Sequence, residues 1–333
     1  MQKENRKKVR KKMSLTSFLK IKDVKEKFAS EFEKPRIKLD WEIKAPPMTA
    51  HYALVGTAFD YLLRFYLERL NPKAITKRWV ALNSYYILAT GLKNPAEIED
   101  PTQLEVWKKD FEYLEDLINE ADSNLHSIEL AVKAADIIRK SKKDHSNYIQ
   151  SGKMNDELLK STILLAQLDP IYRAGYVDRN IGIIDKKDIA DLRNLISIIP
   201  TNDLRAKSTC LLNPTFGEAS RLVSGADADL LIDDRLLDIK TTKKCEITRD
   251  MFNQIIGYYI LGKIGGIGEE HLDISTVNEI GIYFSRFGKN YLFKVDEIID
   301  EDKLLPFIDW FKHRAQRAFT ANDLKKERVK RYE

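Results

Sequence analysis

Residues 225–240 read GADADLLIDDRLLDIK, two short apolar runs on either side of Asp233 and Asp234. A two-residue turn at that pair closes a β-hairpin in which Asp229 stands opposite Asp238, and Asp227 opposite Lys240. Side chains alternate along a strand, so these four share one face while Ala228, Leu230, Leu237 and Ile239 take the other. Three carboxylates embedded among Ala, Leu and Ile repel one another unless positive charge joins them. Lys240 supplies one such charge, and a divalent cation would resolve the remainder.

Hard oxygen ligands at this range suit magnesium or manganese, which keep several waters and take a few carboxylates together with substrate phosphate oxygens. An ammonium beside such an ion stabilises an attacking hydroxide or the charge of a pentacovalent phosphorane. The reaction class that these residue types imply is metal-assisted hydrolysis of a phosphodiester.

The same residues resemble the PD-(D/E)XK nuclease superfamily and, within it, the RecB-like branch. Asp229 followed by Asp238-Ile239-Lys240 is similar to the family's Asp and (D/E)xK on adjacent strands. The next predicted helix carries Gln254-Ile255-Ile256-Gly257-Tyr258, similar to the QxxxY element of the branch. Gln254 and Tyr258 are four residues apart and fall on one helix face. Upstream, Gly56-Thr57-Ala58-Phe59-Asp60 resembles the branch's Gly-Thr-x-x-His helix start, with Asp60 where histidine is usual. The resemblance implies catalytic roles for Asp229, Asp238, Lys240, Gln254 and Tyr258. It implies a metal held by Asp229, Asp238 and Ile239, joined by Asp60, Asp227 or Glu218. It further implies an α/β fold with a restriction-endonuclease-like αβββαβ core and a mixed central sheet. In that core the helix is 52–70, the strands lie near 216–224, 226–232 and 235–240, and helix 248–263 and strand 279–286 follow.

The activity so implied is that of a magnesium-dependent nuclease, with manganese as a substitute ion. DNA is the expected substrate, and RNA stays open because the face reads a phosphodiester and not a sugar. The alternative is a non-catalytic or gated nucleic-acid-binding subunit of a larger DNA-processing or defence complex. Exonuclease and endonuclease action are not distinguished. Lys243 and Lys244 follow the triplet and would overhang the mouth of the site, where they can steer phosphates. Arg286, at the end of the strand EIGIYFS, would hold a backbone phosphate or stand as a solvated strand end. Asp227 reads equally as a lysine-paired acid, Asp60 as the partner of Arg64, and Tyr258 as core.

Working outward, residues 1–14 form a basic tail and 15–70 carry helices that include the first core helix. Residues 71–205 read as a large helical insertion, with segments beginning at Ile75, Gln103, Asn124, Asn155 and Lys187. Residues 206–300 form the α/β core, and 301–333 a terminal helix with a basic end. The segment MQKENRKKVRKK lacks a following apolar stretch and so does not read as a signal peptide, and both basic ends can contact phosphates.

The chain has 333 residues, about two average domains, so a core can form without staples. Lys and Arg number 56 against 51 Asp and Glu, a net charge of +5 that alone hints only weakly at a nucleic-acid partner. The two cysteines, Cys210 and Cys245, cannot build a four-thiolate zinc site or an iron–sulfur cluster. A reduced, cytoplasmic setting and no membrane are expected, since no apolar run approaches about 20 residues. The five histidines show no metal-ligand spacing. No Gly-rich Lys-Ser/Thr loop is present, so a helicase or ATPase partner would be a separate chain.

Overall fold

The computed structural model describes the backbone of residues 14–90 and 125–330 and the side chains of 14–89 and 129–318. The chain is mixed α/β and divides into two compact units. Among the described residues, one unit comprises 47–69, 78–90 and 125–196 and is helical; the other comprises 14–46, 70–77 and 197–330 and holds the sheet. No helix among the described residues is long and apolar enough to cross a membrane. The basic tail at 1–13 and the segment beginning at Gln103 lie outside the described residues.

The sheet has six strands in chain order: β1 (Ile75–Thr76), β2 (Cys210–Leu212), β3 (Leu230–Ile232), β4 (Arg235–Lys240), β5 (Glu279–Phe284) and β6 (Lys289–Lys294). β1 and β2 are parallel, as are β4 and β5, while the other neighbours are antiparallel, so the sheet is mixed. The hairpin at 233–234 forms in the expected register, with Leu230 opposite Leu237 and Ile232 opposite Arg235. Asp233 closes it at φ +52°, a left-handed conformation that Asp tolerates better than most residues. Its carboxylate accepts the backbone N–H groups of Lys207, Ser208 and Thr209. Burial opposes ionisation there, but those donors prevail and lower its pKa to about 2.

Two expectations are corrected. The strand near 216–224 is replaced by a helix, Glu218–Leu222, and the sheet takes Cys210–Leu212 instead. Ser220 decides this locally: its Oγ accepts from Phe216 N and donates to Ala226 O, folding the chain back on itself. The helix expected from Ile75 begins at Val80, because Ile75 and Thr76 pair with Leu211 and Leu212 as an edge strand.

The helix Arg249–Gly265 crosses one sheet face. Thr248 caps it by accepting Met251 N, and Gly266, at φ +74°, ends it. Leu231, Leu236, Ile280 and Ile282 pack with Ile255, Ile256 and Tyr259 of this helix and with an aromatic group from Phe18, Phe28, Phe32, Phe307 and Phe311. Leu230, Ile232 and Leu237 are also at most 1% exposed, so β3 and β4 are buried on both faces. Such strands read as apolar runs, and a charged residue within them stands out.

In the helical unit, Tyr52–Leu70, Val80–Thr90, Leu125–Ser151, Asp156–Ala174 and Lys186–Ser197 pack through apolar faces. The helix 52–70, read from sequence with the sheet, thus groups up to Arg69 with this unit.

Candidate functional site

Asp238 and Lys240 sit at the C-terminal end of the buried strand β4, on the face crossed by the helix Arg249–Gly265. The Asp238 side chain is 2% exposed and that of Lys240 24% exposed, with Lys240 Nζ 2.6 Å from Asp238 Oδ2. That contact is an ion pair, since Oδ2 receives no hydrogen bond of good geometry. Lys240 Nζ donates to Gln254 Oε1 at 3.0 Å, and Gln254 Nε2 donates to the Tyr258 hydroxyl at 2.6 Å. Tyr258 in turn donates to Asp238 Oδ1 at 3.4 Å. Three hydrogen bonds and one ion pair close the four side chains into a ring that joins the DIK triplet to the Gln-x-x-x-Tyr helix.

Asp229 stands one residue before the paired part of β3. Its Oδ2 accepts the Ile239 backbone N–H at 2.6 Å, which ties it to the middle residue of the triplet. Burial alone would lower the pKa of the Lys240 ammonium, but Asp238 and Asp229 outweigh it and the pKa is raised. Burial, reinforced by Asp238, Asp229 and Asp227, pushes the Tyr258 hydroxyl well above its ordinary value, so it remains a donor. Asp227 therefore shares the field of the group. Its backbone is bridged to Thr215, and no pairing with Lys240 continues the hairpin that far.

Glu218 lies in the first turn of a helix, 80% exposed, with Arg221 Nη1 at 3.2 Å from its carboxylate. Asp60 belongs to the helical unit, where Arg64 Nη2 meets its Oδ2 at 3.1 Å and its Oδ1 is buried without a hydrogen bond. Lys243 and Lys244 are exposed just after the triplet. Arg286 is a correction: it is 1% exposed, and its Nη1 donates to Ala45 O at 2.9 Å while its own carbonyl accepts from Lys44 and Ala45. A guanidinium so enclosed anchors the segment before residue 47; it is not placed at a surface where a phosphate would be met.

Asn213 and Thr215 were missed from sequence. Asn213 N donates to Asp229 O at 2.9 Å, and Thr215 bridges Asp227, so the run after β2 extends alongside the acidic positions. Asn213 adopts φ +53° and is 6% exposed, with its Oδ1 buried and without a hydrogen bond. The Asn213-Pro214 step reads as an ordinary turn, and nothing in it signals a polar atom left unsatisfied.

The donor set fits a magnesium ion in part. Asp229 and Asp238 are hard carboxylates, Asp238 has a buried oxygen without a hydrogen bond, and magnesium commonly takes one or two carboxylates and keeps its waters. A full protein cage is not offered: among the described residues no three His, Cys, Asp or Glu gather as ligands. No family model, curated protein or solved structure matches the chain.

Proposed function

We propose that the protein is a magnesium-dependent nuclease that hydrolyses phosphodiester bonds, with DNA as substrate. One observation supports this reading above the others. Two sequence elements 14 residues apart close, through three hydrogen bonds and one ion pair, into a ring around a buried carboxylate and its lysine. A structural ion pair needs no such orientation, and a buried network that leaves Asp238 Oδ2 without a hydrogen bond is costly unless a ligand joins it.

In this reading Asp229 and Asp238 hold the ion, with Ile239 positioning Asp229 through its N–H. When bound, magnesium would lower the pKa of a water and neutralise the leaving oxygen. Lys240, kept protonated by the two carboxylates, presents its ammonium to the charge that develops on the phosphoryl oxygens. Gln254 aims that ammonium, and Tyr258 holds the Asp238 carboxylate in orientation; both act as positioning residues. Lys243 and Lys244 contribute nonspecific attraction for the backbone, which weakens as salt rises.

A second reading, a nucleic-acid-binding subunit without catalysis, is favoured by one feature: Asp238 is already neutralised by Lys240 at 2.6 Å. The deciding experiment incubates the protein with linear, circular and single-stranded DNA and with RNA, in magnesium, manganese or EDTA. Cleavage in either metal that EDTA abolishes supports the nuclease. Salt-dependent binding without cleavage on every substrate supports the second reading and rejects the first.

A further inference from the structure

A cavity of about 100 Å³ opens in the sheet unit beside β1 and β2. Its walls are mainly aliphatic, from Ile75, Leu211, Leu212, Ile267 and Leu272, and Asn213 lines it. The volume corresponds to roughly three waters or one flat heteroaromatic ring. Asn213 is the unusual member of this wall. It is 6% exposed, held at φ +53°, and its Oδ1 is a buried acceptor that no donor reaches. Leaving such an atom unsatisfied costs stability, and a left-handed residue other than glycine adds to that cost. The left-handed backbone is one that Asn tolerates, but the unsatisfied acceptor is accounted for if a ligand entering the cavity supplies the missing donor.

The chemistry of that ligand can be narrowed. A side-chain amide pairs with a planar edge carrying an N–H donor beside an acceptor, as it does with base edges. The aliphatic walls suit the faces of such a ring. Lys77, Glu269 and Glu270 are exposed and line the cavity, and two carboxylates against one ammonium leave a negative rim that disfavours a phosphate there. Asn213 N is also bonded to Asp229 O, so the amide sits one strand from the carboxylate assigned to the metal. We propose that this cavity receives an unpaired nucleobase of the substrate strand, held by the Asn213 amide, while the neighbouring phosphodiester lies at Asp229 and Asp238. The proposal deepens the nuclease reading and rests on it for the presence of a nucleic acid. It adds that the substrate enters single-stranded or with one base unstacked.

The test measures binding in EDTA by fluorescence anisotropy, so that no cleavage is needed. The ligands are a short single-stranded oligodeoxynucleotide and its counterpart with every base replaced by an abasic analogue. The parent protein should bind the base-containing strand on the order of tenfold more tightly. Asn213→Gly keeps the left-handed backbone without strain and removes only the amide, so it should lose most of that preference while still binding the abasic strand as the parent does. Ile75→Trp, which fills the mouth from an exposed edge position, should lose it as well. Equal preference in the parent and both variants would overturn the base pocket. A parent that cuts DNA with magnesium but binds the two strands equally sinks the pocket and leaves the nuclease reading intact. Base-dependent binding lost in Asn213→Gly, with no cleavage under any condition, keeps the pocket and rejects the nuclease. A protein that binds neither strand overturns the pocket outright.

Discussion

The Lys240 ammonium and the Gln254 side-chain oxygen, on a strand and on the helix that crosses it, lie 3.0 Å apart. Because Gln254 also donates to Tyr258, the amide can point only one way: oxygen toward the lysine, nitrogen toward the hydroxyl. Replacing Gln254 by Ala should leave the fold intact and leave the lysine held by Asp238 alone, without the group that aims its ammonium. The expected loss is about 10- to 100-fold in magnesium-dependent cleavage, the range seen when a group supporting a metal ligand is removed. Single-turnover cleavage rates check this, with circular dichroism confirming the fold; an unchanged rate would mean that the ring is only structural.

Asp233 predicts a stability effect with a defined pH dependence. Its carboxylate accepts three backbone N–H groups, and its folded pKa, about 2, is below the ordinary aspartate value of 3.8. The stability that it contributes is therefore present above pH 3.8 and is lost as pH falls toward 2. Asp233→Ala should destabilise the protein by about 1–3 kcal/mol in neutral solution. Asp233→Asn, which keeps one acceptor and tolerates the left-handed turn, should recover part of that loss. Urea melts of the two variants separate these outcomes.

Asp169, in the helical unit, has the opposite sign. It is 3% exposed, accepts from Tyr61 Oη at 2.6 Å, and burial raises its pKa to about 6 despite Arg173 and Arg64 nearby. A folded pKa above the unfolded value stabilises at low pH. This contribution is complete below pH 3.8 and disappears as pH rises through about 6. The difference is on the order of 3 kcal/mol before relaxation is allowed for. Asp169→Asn keeps an acceptor for Tyr61 and should flatten the dependence of melting temperature on pH between 4 and 6; an unaltered slope would assign it to another group.

Asn253 lies one residue from the site but is 1% exposed, and neither atom of its amide has a hydrogen bond. Asn253→Leu, with the same branching and heavy-atom count, should raise stability by about 1–3 kcal/mol, the cost of leaving a buried polar group unpaired. Thermal melting measures this directly, and a destabilised variant would show that the amide packs better than its missing bonds suggest.

The hairpin was legible because its signal is local: two apolar runs, a two-residue turn, and a period of two that fixes which side chains share a face. The helix at 249–265 was legible as the stretch that carries Gln254 and Tyr258, but its Thr248 cap was not read. What escaped depends on distant partners. Arg286 reads as a strand-end cation, and its burial rests on the Ala45 carbonyl, far away in sequence. The stretch SRLV reads as β-rich, yet Ser220 bonds Phe216 and Ala226 and turns it into a helix. β1 and β2 contain two and three residues, too few to show alternation. The ring itself was only half visible, since the sequence places Gln254 and Tyr258 on one face but does not bring that face to Lys240.

The most direct test of the account compares the parent with Lys240→Met, which keeps the aliphatic stem and removes the charge. Magnesium-dependent cleavage of linear and single-stranded DNA is followed under single-turnover conditions, and tight DNA binding in EDTA is measured on the same preparations. The account predicts cleavage by the parent and a loss of at least about 100-fold in the variant, with binding little changed. Cleavage by Lys240→Met at the parent rate would contradict it.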